Sequence, residues 1–201
     1  MNEQEVFWSG PEGTSYIKRN FNINNRYQER FSFFNLFKTF NDKNISILEI
    51  GCNCGINLQI LKDLNFKNLN GIDINKNAIL EAKKRMPEYN FYEGSIFNLP
   101  FEDNSFDLVF TSGVLIHQDP DTSLQESMKE INRCAKTYII GLEDYSSCFA
   151  GRSYRGKNNF YWSGPFKEKY ISLFPELNLL ESGFIKDRDS TLQREYYKFK
   201  K

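Results

Sequence analysis

Short strand-like runs alternate with helical spans along most of this chain, and that alternation limits its fold more than any other feature. Ile45–Ile50 (ISILEI), Leu69–Ile74 (LNGIDI), Tyr89–Gly94 (YNFYEG), Phe106–Gly113 (FDLVFTSG) and Thr137–Glu143 (TYIIGLE) read as strands. Between them, Ile56–Leu64, Asn75–Met86 and Asp121–Ala135 carry helical spacing, with Asn75 placed as an N-cap and Asp121 near the third helix's start. Pro165–Phe174 is a further helix with Pro165 in its first turn, and Leu177–Lys186 and Thr191–Lys200 read as an antiparallel pair. Strand–helix alternation predicts a mostly parallel α/β sheet covered on both faces, with a ligand crevice at the carboxyl ends of the strands.

The first 44 residues differ. Tyr27, Phe31, Phe34 and Phe37 or Phe40 recur at helical steps, after a Gly/Pro-broken entry (FWSGPEGTSYIKRN) that includes a short helix. Residues 1–44 are therefore expected as a helical cap and 45–201 as the α/β core of a single domain. The segment from Asp144 to about Gly164 is expected as a loop, and WSGP, which occurs at Trp8–Pro11 and Trp162–Pro165, as a coincidence.

Composition narrows the function. Lys+Arg and Asp+Glu are both 26, so the basic excess of a dedicated nucleic-acid binder is missing. No apolar run reaches the roughly 18–20 residues of a membrane span, and the N-terminus lacks the regions of a secretory signal. The four cysteines, Cys52, Cys54, Cys134 and Cys148, fit thiols of a reducing cytoplasm.

The turn after the first strand, Glu49-Ile-Gly51-Cys-Asn53-Cys-Gly55, carries the chemistry. Cys52 and Cys54 suggest metal or redox work, but no second pair accompanies them, His117 is the lone histidine, and the spacing is not Cys-x-x-Cys; no metal is expected. Gly51 and Gly55, with Asn53 between them, instead allow a left-handed bend into a helix N-terminus. The dinucleotide fingerprint is absent, since Asn53 and Ile56 stand where glycines would be needed. A ligand with an adenosine and no phosphates asks less of such a loop. Asp73, about 20 residues on, is spaced to accept from ribose hydroxyls, with Ile74 beside it, and Ser95 and Ile96 fall where a purine would lie.

These residues resemble a known family. ILEIGCNCGINL, GIDIN, EGSIFNLPFEDNSFDLVFTSGVLIH and TYIIGLED look like a class I S-adenosylmethionine-dependent methyltransferase over roughly residues 45–145. A narrower likeness covers nearly the whole chain: FWSGPEGTSYIKRN, GVLIHQDPD, SYRGKNNFYW and ESGFIKDRDSTLQREYYKFKK are similar to the methylases associated with pseudaminic acid biosynthesis. The resemblance implies a Rossmann-like, mostly parallel seven-stranded sheet with the last strand antiparallel, and S-adenosyl-L-methionine as cofactor. It implies a cofactor loop of Glu49, Gly51, Asn53 and Gly55. It also puts Asp73 at the ribose, Ser95 and Ile96 at the adenine, and Thr111 and Ser112 near the methionine. Tyr16 and Arg19 become candidates for the methionine carboxylate.

The acceptor is expected to be a small polar or acidic metabolite, related to sugars or nucleotide sugars. His117 is either a general base or a packed histidine. Tyr145, Tyr154 and Arg155 are expected over the site, Arg155 as a clamp for a carboxylate or phosphate, with Arg188 adding charge. A nucleic-acid amino-methyltransferase is disfavoured because the fourth strand ends Thr-Ser-Gly-Val instead of Asn/Asp-Pro-Pro-Tyr/Phe. A nicotinamide oxidoreductase is disfavoured by the missing third glycine. A non-catalytic cofactor-binding or partner-binding subunit is the alternative. Nothing in the sequence fixes the oligomeric state.

Overall fold

The computed structural model describes residues 1–19, 27–186 and 193–201; Arg188 lies outside them. Its elements, in order, are α1 (Glu3–Ser9), α2 (Pro11–Arg19), α3 (Phe31–Lys38), β1 (Ser46–Ile50), α4 (Ile56–Asp63), β2 (Asn68–Asp73), α5 (Lys76–Arg85) and β3 (Asn90–Glu93). There follow β4 (Phe106–Ser112), a 3-10 turn (Leu115–His117), α6 (Leu124–Cys134), β5 (Ala135–Tyr145), β6 (Ala150–Tyr154), β7 (Lys157–Ser163), α7 (Phe166–Leu173), β8 (Asn178–Lys186) and β9 (Gln193–Lys200).

Seven strands form one sheet in the order β3-β2-β1-β4-β5-β9-β8. All neighbours pair in parallel except β9, which runs antiparallel to both β5 and β8. The strand–helix alternation predicts a mostly parallel covered sheet, and the Rossmann-like seven-stranded form with an antiparallel last strand is the one the family resemblance implies. The period-two alternation of side chains divides the core. Ile47, Leu108 and Phe110 face α3, α4 and α5 through Phe33, Phe37, Leu58, Leu61 and Ile79. Leu48, Ile50 and Val109 face α6 and α7 through Met128, Ile131, Phe166 and Tyr170. The central strands β1 and β4 are buried on both faces, which is why their sequences read as near-continuous apolar runs, whereas the edge strand β3 is mostly exposed.

Chain order reverses across the β1–β4 pair. Register places Ile50 beside both Ile72 and Thr111, so the ends of β1, β2 and β4 open at one level. The crevice rule for open α/β sheets puts a ligand there.

Two expectations change. Asp144–Gly164 is mostly the hairpin β6–β7, which pairs antiparallel and forms its own two-stranded sheet. Its turn, Arg155-Gly156, has φ of 51° and 81°, the paired positive values of a tight hairpin turn. In the N-terminal helical stretch, Phe34 and Phe37 are buried, whereas Phe31 is about half exposed under the ammonium of Lys38. Both WSGP stretches do the same local work. Each closes one element and leads into a helix, α2 starting at Pro11 and α7 capped at Pro165.

Candidate active site

The cleft at the β1–β4 reversal is lined from three directions. Gly51, Cys52 and Asn53 come from the first loop, Asp73, Ile74 and Asn75 from the end of β2, and Ser112, Gly113, Val114, His117 and Gln118 from the end of β4. Ser95, Ile96 and Phe97 close one end, and Gln4, Glu5, Trp8 and Tyr16 cover it from α1 and α2.

Gly51 holds φ +69°, and a Cβ on it would stand 2.5 Å from Cγ2 of Val114. Glycine is needed there for both reasons. Asn53 turns at φ 49°, one of the few non-glycine types that tolerates this region. Gly55, at φ 78°, is the N-cap of α4; it packs towards Met86 and Phe91 and does not line the cleft. Its place is to shape the loop.

Asp73 anchors that loop. Asn53 N–H donates to its Oδ2 at 2.8 Å, and Asn75 N–H donates to its Oδ1 at 2.8 Å. Burial raises its pKa, and the two backbone donors pull against that. The carboxylate thus fixes the turn while lining the cleft. Glu49 is buried beneath the loop and accepts from Asn57 Nδ2 at 2.6 Å. The Oδ1 atoms of Asn53 and Asn57 are buried and meet no donor among the described residues. Both residues line the cleft, so these acceptors suit N–H or O–H groups of a ligand.

The cysteines of the loop are packing groups. Cys52 and Cys54 are buried and outside any disulfide. Burial, then the nearby Asp73 and Glu49 carboxylates, push the Cys52 thiol well up, away from the thiolate that metal or redox work requires.

At the other end of the cleft, His117 is buried. Its Nδ1 lies 3.2 Å from the Phe160 carbonyl oxygen. A carbonyl only accepts, so Nδ1 carries the proton and Nε2 carries the lone pair. Burial lowers the pKa to about 4, so the ring is neutral at pH 7. Trp8, Tyr154 and Tyr161 surround it, with ring centroids 4.6, 5.4 and 5.9 Å away.

Several residues picked from sequence sit elsewhere. Arg19 is paired with Glu12 at 2.5 Å and lies over the Tyr16 ring. Arg155 also turns to Glu12, at 3.7 Å, from a half-exposed turn. Neither guanidinium reaches the cleft lining, because one carboxylate draws both outward. Tyr145 packs edge-on against Phe184 beside β8 and β9, away from the site. Thr111 donates to Glu143 Oε1 at 2.9 Å and is turned into the sheet. Tyr154 touches His117 from behind without lining the cleft. Tyr16, Glu49, Gly51, Asn53, Asp73, Ile74, Ser95, Ile96, Ser112 and His117 are brought together around it.

Helix α1 brings residues that sequence reading missed. Glu5 Oε1 accepts from Ser95 Oγ at 2.5 Å, and Gln4 Nε2 donates to the Phe160 carbonyl at 2.9 Å. Asn75, the N-cap of α5, donates through Nδ2 to the carbonyls of Trp8, Ser9 and Gly10. One asparagine thereby caps a core helix and ties α1 over the cleft. The signal was there in Asn2-x-x-Glu5, a capping box whose two reciprocal bonds are both made.

Residues 48–138 match the family described as "Methyltransferase domain". Over that span this chain carries a methyltransferase domain, on the class I fold. Among curated proteins, this chain is similar to the tRNA U34 carboxymethyltransferase of Campylobacter hominis. That match is 31% identical over 146 residues, 67% of this chain and 50% of that protein. The protein of the same name from Nautilia profundicola is 30% identical over 142 residues, 65% of this chain and 46% of that one. The chain thus spans about half the length of these relatives. Magnesium protoporphyrin IX methyltransferase (ChlM) from Synechocystis PCC 6803, solved with bound SAH, superposes with a TM-score of 0.72 at 13% identity, covering 98% of each chain. PH0226 from Pyrococcus horikoshii OT3 gives 0.69 at 18% identity, covering 97% of this chain and 95% of that one. At such identities the likeness is one of fold. Among the described residues, no helix is long and apolar enough to cross a membrane.

Proposed function

We propose that this chain transfers the methyl group of S-adenosylmethionine to a small polar metabolite. The observation that carries the reading is the cleft at the β1–β4 reversal, where a left-handed Gly51–Asn53 bend, the Asp73 carboxylate and unmatched amide oxygens converge without the glycines a pyrophosphate needs. Asp73 suits the ribose hydroxyls, and Ile74, Ile96 and Phe97 suit the flat faces of an adenine. Asn57 and Glu49 suit an ammonium. When bound, the cofactor supplies a methyl already activated on a sulfonium centre.

The chain's own task is then to orient a nucleophile, exclude water and take a proton. Holding the reactants in line supplies several kcal/mol. His117 is the residue for the proton: its tautomer is set by the Phe160 carbonyl, leaving Nε2 as an acceptor at neutral pH. Helix α1 suits water exclusion. Tyr154 supports the His117 ring; Arg155 is left out of the acceptor role, and Arg19 out of the methionine-carboxylate role, that sequence suggested.

The narrower likeness to methylases associated with pseudaminic acid biosynthesis fits a sugar-related acceptor and stays part of this proposal. The relatives named above are, by name, tRNA-modifying. The equal counts of basic and acidic residues argue for a small acceptor over tRNA. A non-catalytic subunit would bind the cofactor and transfer nothing. The test is label transfer from [methyl-3H]S-adenosylmethionine to a metabolite panel. Cofactor binding with transfer supports the enzyme; binding without transfer to any partner supports the subunit.

A further inference from the structure

Three side chains around His117 hold polar atoms that no described residue satisfies: Gln4 Oε1, Trp8 Nε1 and Gln118 Oε1. All three residues line the cleft. They form one group. Gln4 Nε2 and His117 Nδ1 donate to the same Phe160 carbonyl. The Trp8 ring lies 4.6 Å from the His117 ring. Gln118 follows His117 in the chain and is only 6% exposed. Leaving one such atom buried and unmatched costs about 1–3 kcal/mol, so three together mark a place built to receive a ligand.

The inventory fixes the ligand's character. The group offers two carbonyl-type acceptors, N–H donors on Trp8 and Gln118, and the lone pair on His117 Nε2. The guanidinium groups nearest to it among the described residues are engaged: Arg19 and Arg155 with Glu12, Arg194 with Asp144, and Arg30 with Ser112 Oγ. A carboxylate or phosphate would find only neutral donors there, with two acceptors opposing it. A hydroxyl both donates and accepts, and aromatic faces such as Trp8 stack well against the apolar face of a sugar ring.

The geometry points to a sugar-like, hydroxyl-bearing acceptor, with one hydroxyl held against His117 Nε2 and its neighbours read by Gln4, Trp8 and Gln118. This rests on the methyltransferase reading above and specifies its acceptor. In the step, the hydroxyl oxygen forms the new C–O bond with the sulfonium methyl. The C–S bond breaks with its electron pair kept on sulfur, and the hydroxyl proton passes to Nε2 and on to solvent. Gln118, Gln4 and Trp8 are specificity residues for the acceptor, distinct from those suited to the cofactor.

The experiment incubates the full chain and [methyl-3H]S-adenosylmethionine with three pools. These are neutral glycosides with nucleoside-diphosphate hexoses, sugar acids with dicarboxylic acids, and bulk tRNA. Label is expected in the first pool as a methyl ether that survives mild alkali. Gln118→Leu is expected to lower kcat/KM for that acceptor on the order of tenfold or more, with the Kd for S-adenosylmethionine within about twofold of wild type, which also shows that the variant folds. Titrating the same sugar is expected to move the indole N–H resonance of Trp8, identified by its loss in Trp8→Phe. An alkali-labile methyl ester, label in tRNA, or unchanged turnover in Gln118→Leu overturns the hydroxyl assignment and leaves the methyltransferase reading standing. Cofactor binding with no transfer to any pool overturns both.

Discussion

Replacing His117 by Gln should flatten part of the protein's response to acid. In the folded chain His117 is buried against Trp8 and Tyr154, and burial lowers its pKa from 6.5 to about 4. The unfolded chain takes up the proton near 6.5 and the folded chain only near 4, so between these values the unfolded state binds more protons. Stability is complete above about pH 6.5 and is lost as pH falls towards 4. The whole shift corresponds to about 3 kcal/mol, of which about 2 kcal/mol is felt at pH 5. Glu143 works the other way. Burial pushes its carboxyl up to about 7 against the pull of its hydrogen bonds and Arg194, so its contribution is lost as pH rises from about 4.5 through 7. The wild-type curve therefore mixes two opposed slopes, and only a difference isolates His117. The assay is urea unfolding of wild type and His117→Gln at pH 7.5 and pH 5. Glutamine keeps a donor for the Phe160 carbonyl and does not titrate. Wild type should lose about 2 kcal/mol more than the variant between the two pH values, a gap of about 1 M urea in the midpoint at a typical slope. Equal losses would refute the buried neutral imidazole, and with it the lone pair assigned to Nε2.

Other residues give independent tests. Gly51→Ala should cost roughly 2–4 kcal/mol, from the strained positive φ and the clash with Val114, and lower Tm by roughly 10 °C; differential scanning calorimetry reads it, and an unchanged Tm contradicts the loop geometry. Asn75→Ala removes the cap of α5 and the bonds to α1. It should cost about 1 kcal/mol and expose residues 1–19 to limited proteolysis, whereas a wild-type cleavage pattern would show that α1 is held by other contacts. Arg155→Ala loses a half-exposed pair with Glu12 and a contact over the Tyr154 ring. Stability should change by less than about 1 kcal/mol and turnover by less than about twofold; a large loss of turnover would return Arg155 to the site.

The sheet was readable because its central strands are buried on both faces. ISILEI and FDLVF are near-continuous apolar runs, and the glycine or acid that ends each marks where the backbone must turn. The β6–β7 hairpin was not readable. The middle of AGRSY and the start of KNNFYWS face solvent, and only Phe160, Trp162 and Ser163 are buried, so neither strand shows a full apolar alternation, and the turn uses Arg155-Gly156 where Asn-Gly would have announced it. The acid-and-glycine half of the cleft could be read from spacing, since Gly51 and Asp73 sit at strand ends whose positions follow from the sheet. The other half could not, because it depends on α1 folding back across the chain. Nothing local in Gln4, Glu5 or Trp8 says that they will meet Phe160, Ser95 and His117. The arginines misled for a related reason. Charge on a loop suggests a ligand, yet Glu12 draws Arg19 and Arg155 away from it.

Isothermal titration of S-adenosylmethionine into the wild-type chain and Asp73→Ala at pH 7.5 tests the account at its root. Wild type should bind one equivalent in the micromolar range, and the variant, without the carboxylate that fixes the Gly51–Asn53 bend and faces the ribose site, should bind on the order of tenfold or more weakly. No heat and no rise in Tm at millimolar cofactor in the wild type, or equal affinity in the two proteins, would contradict it.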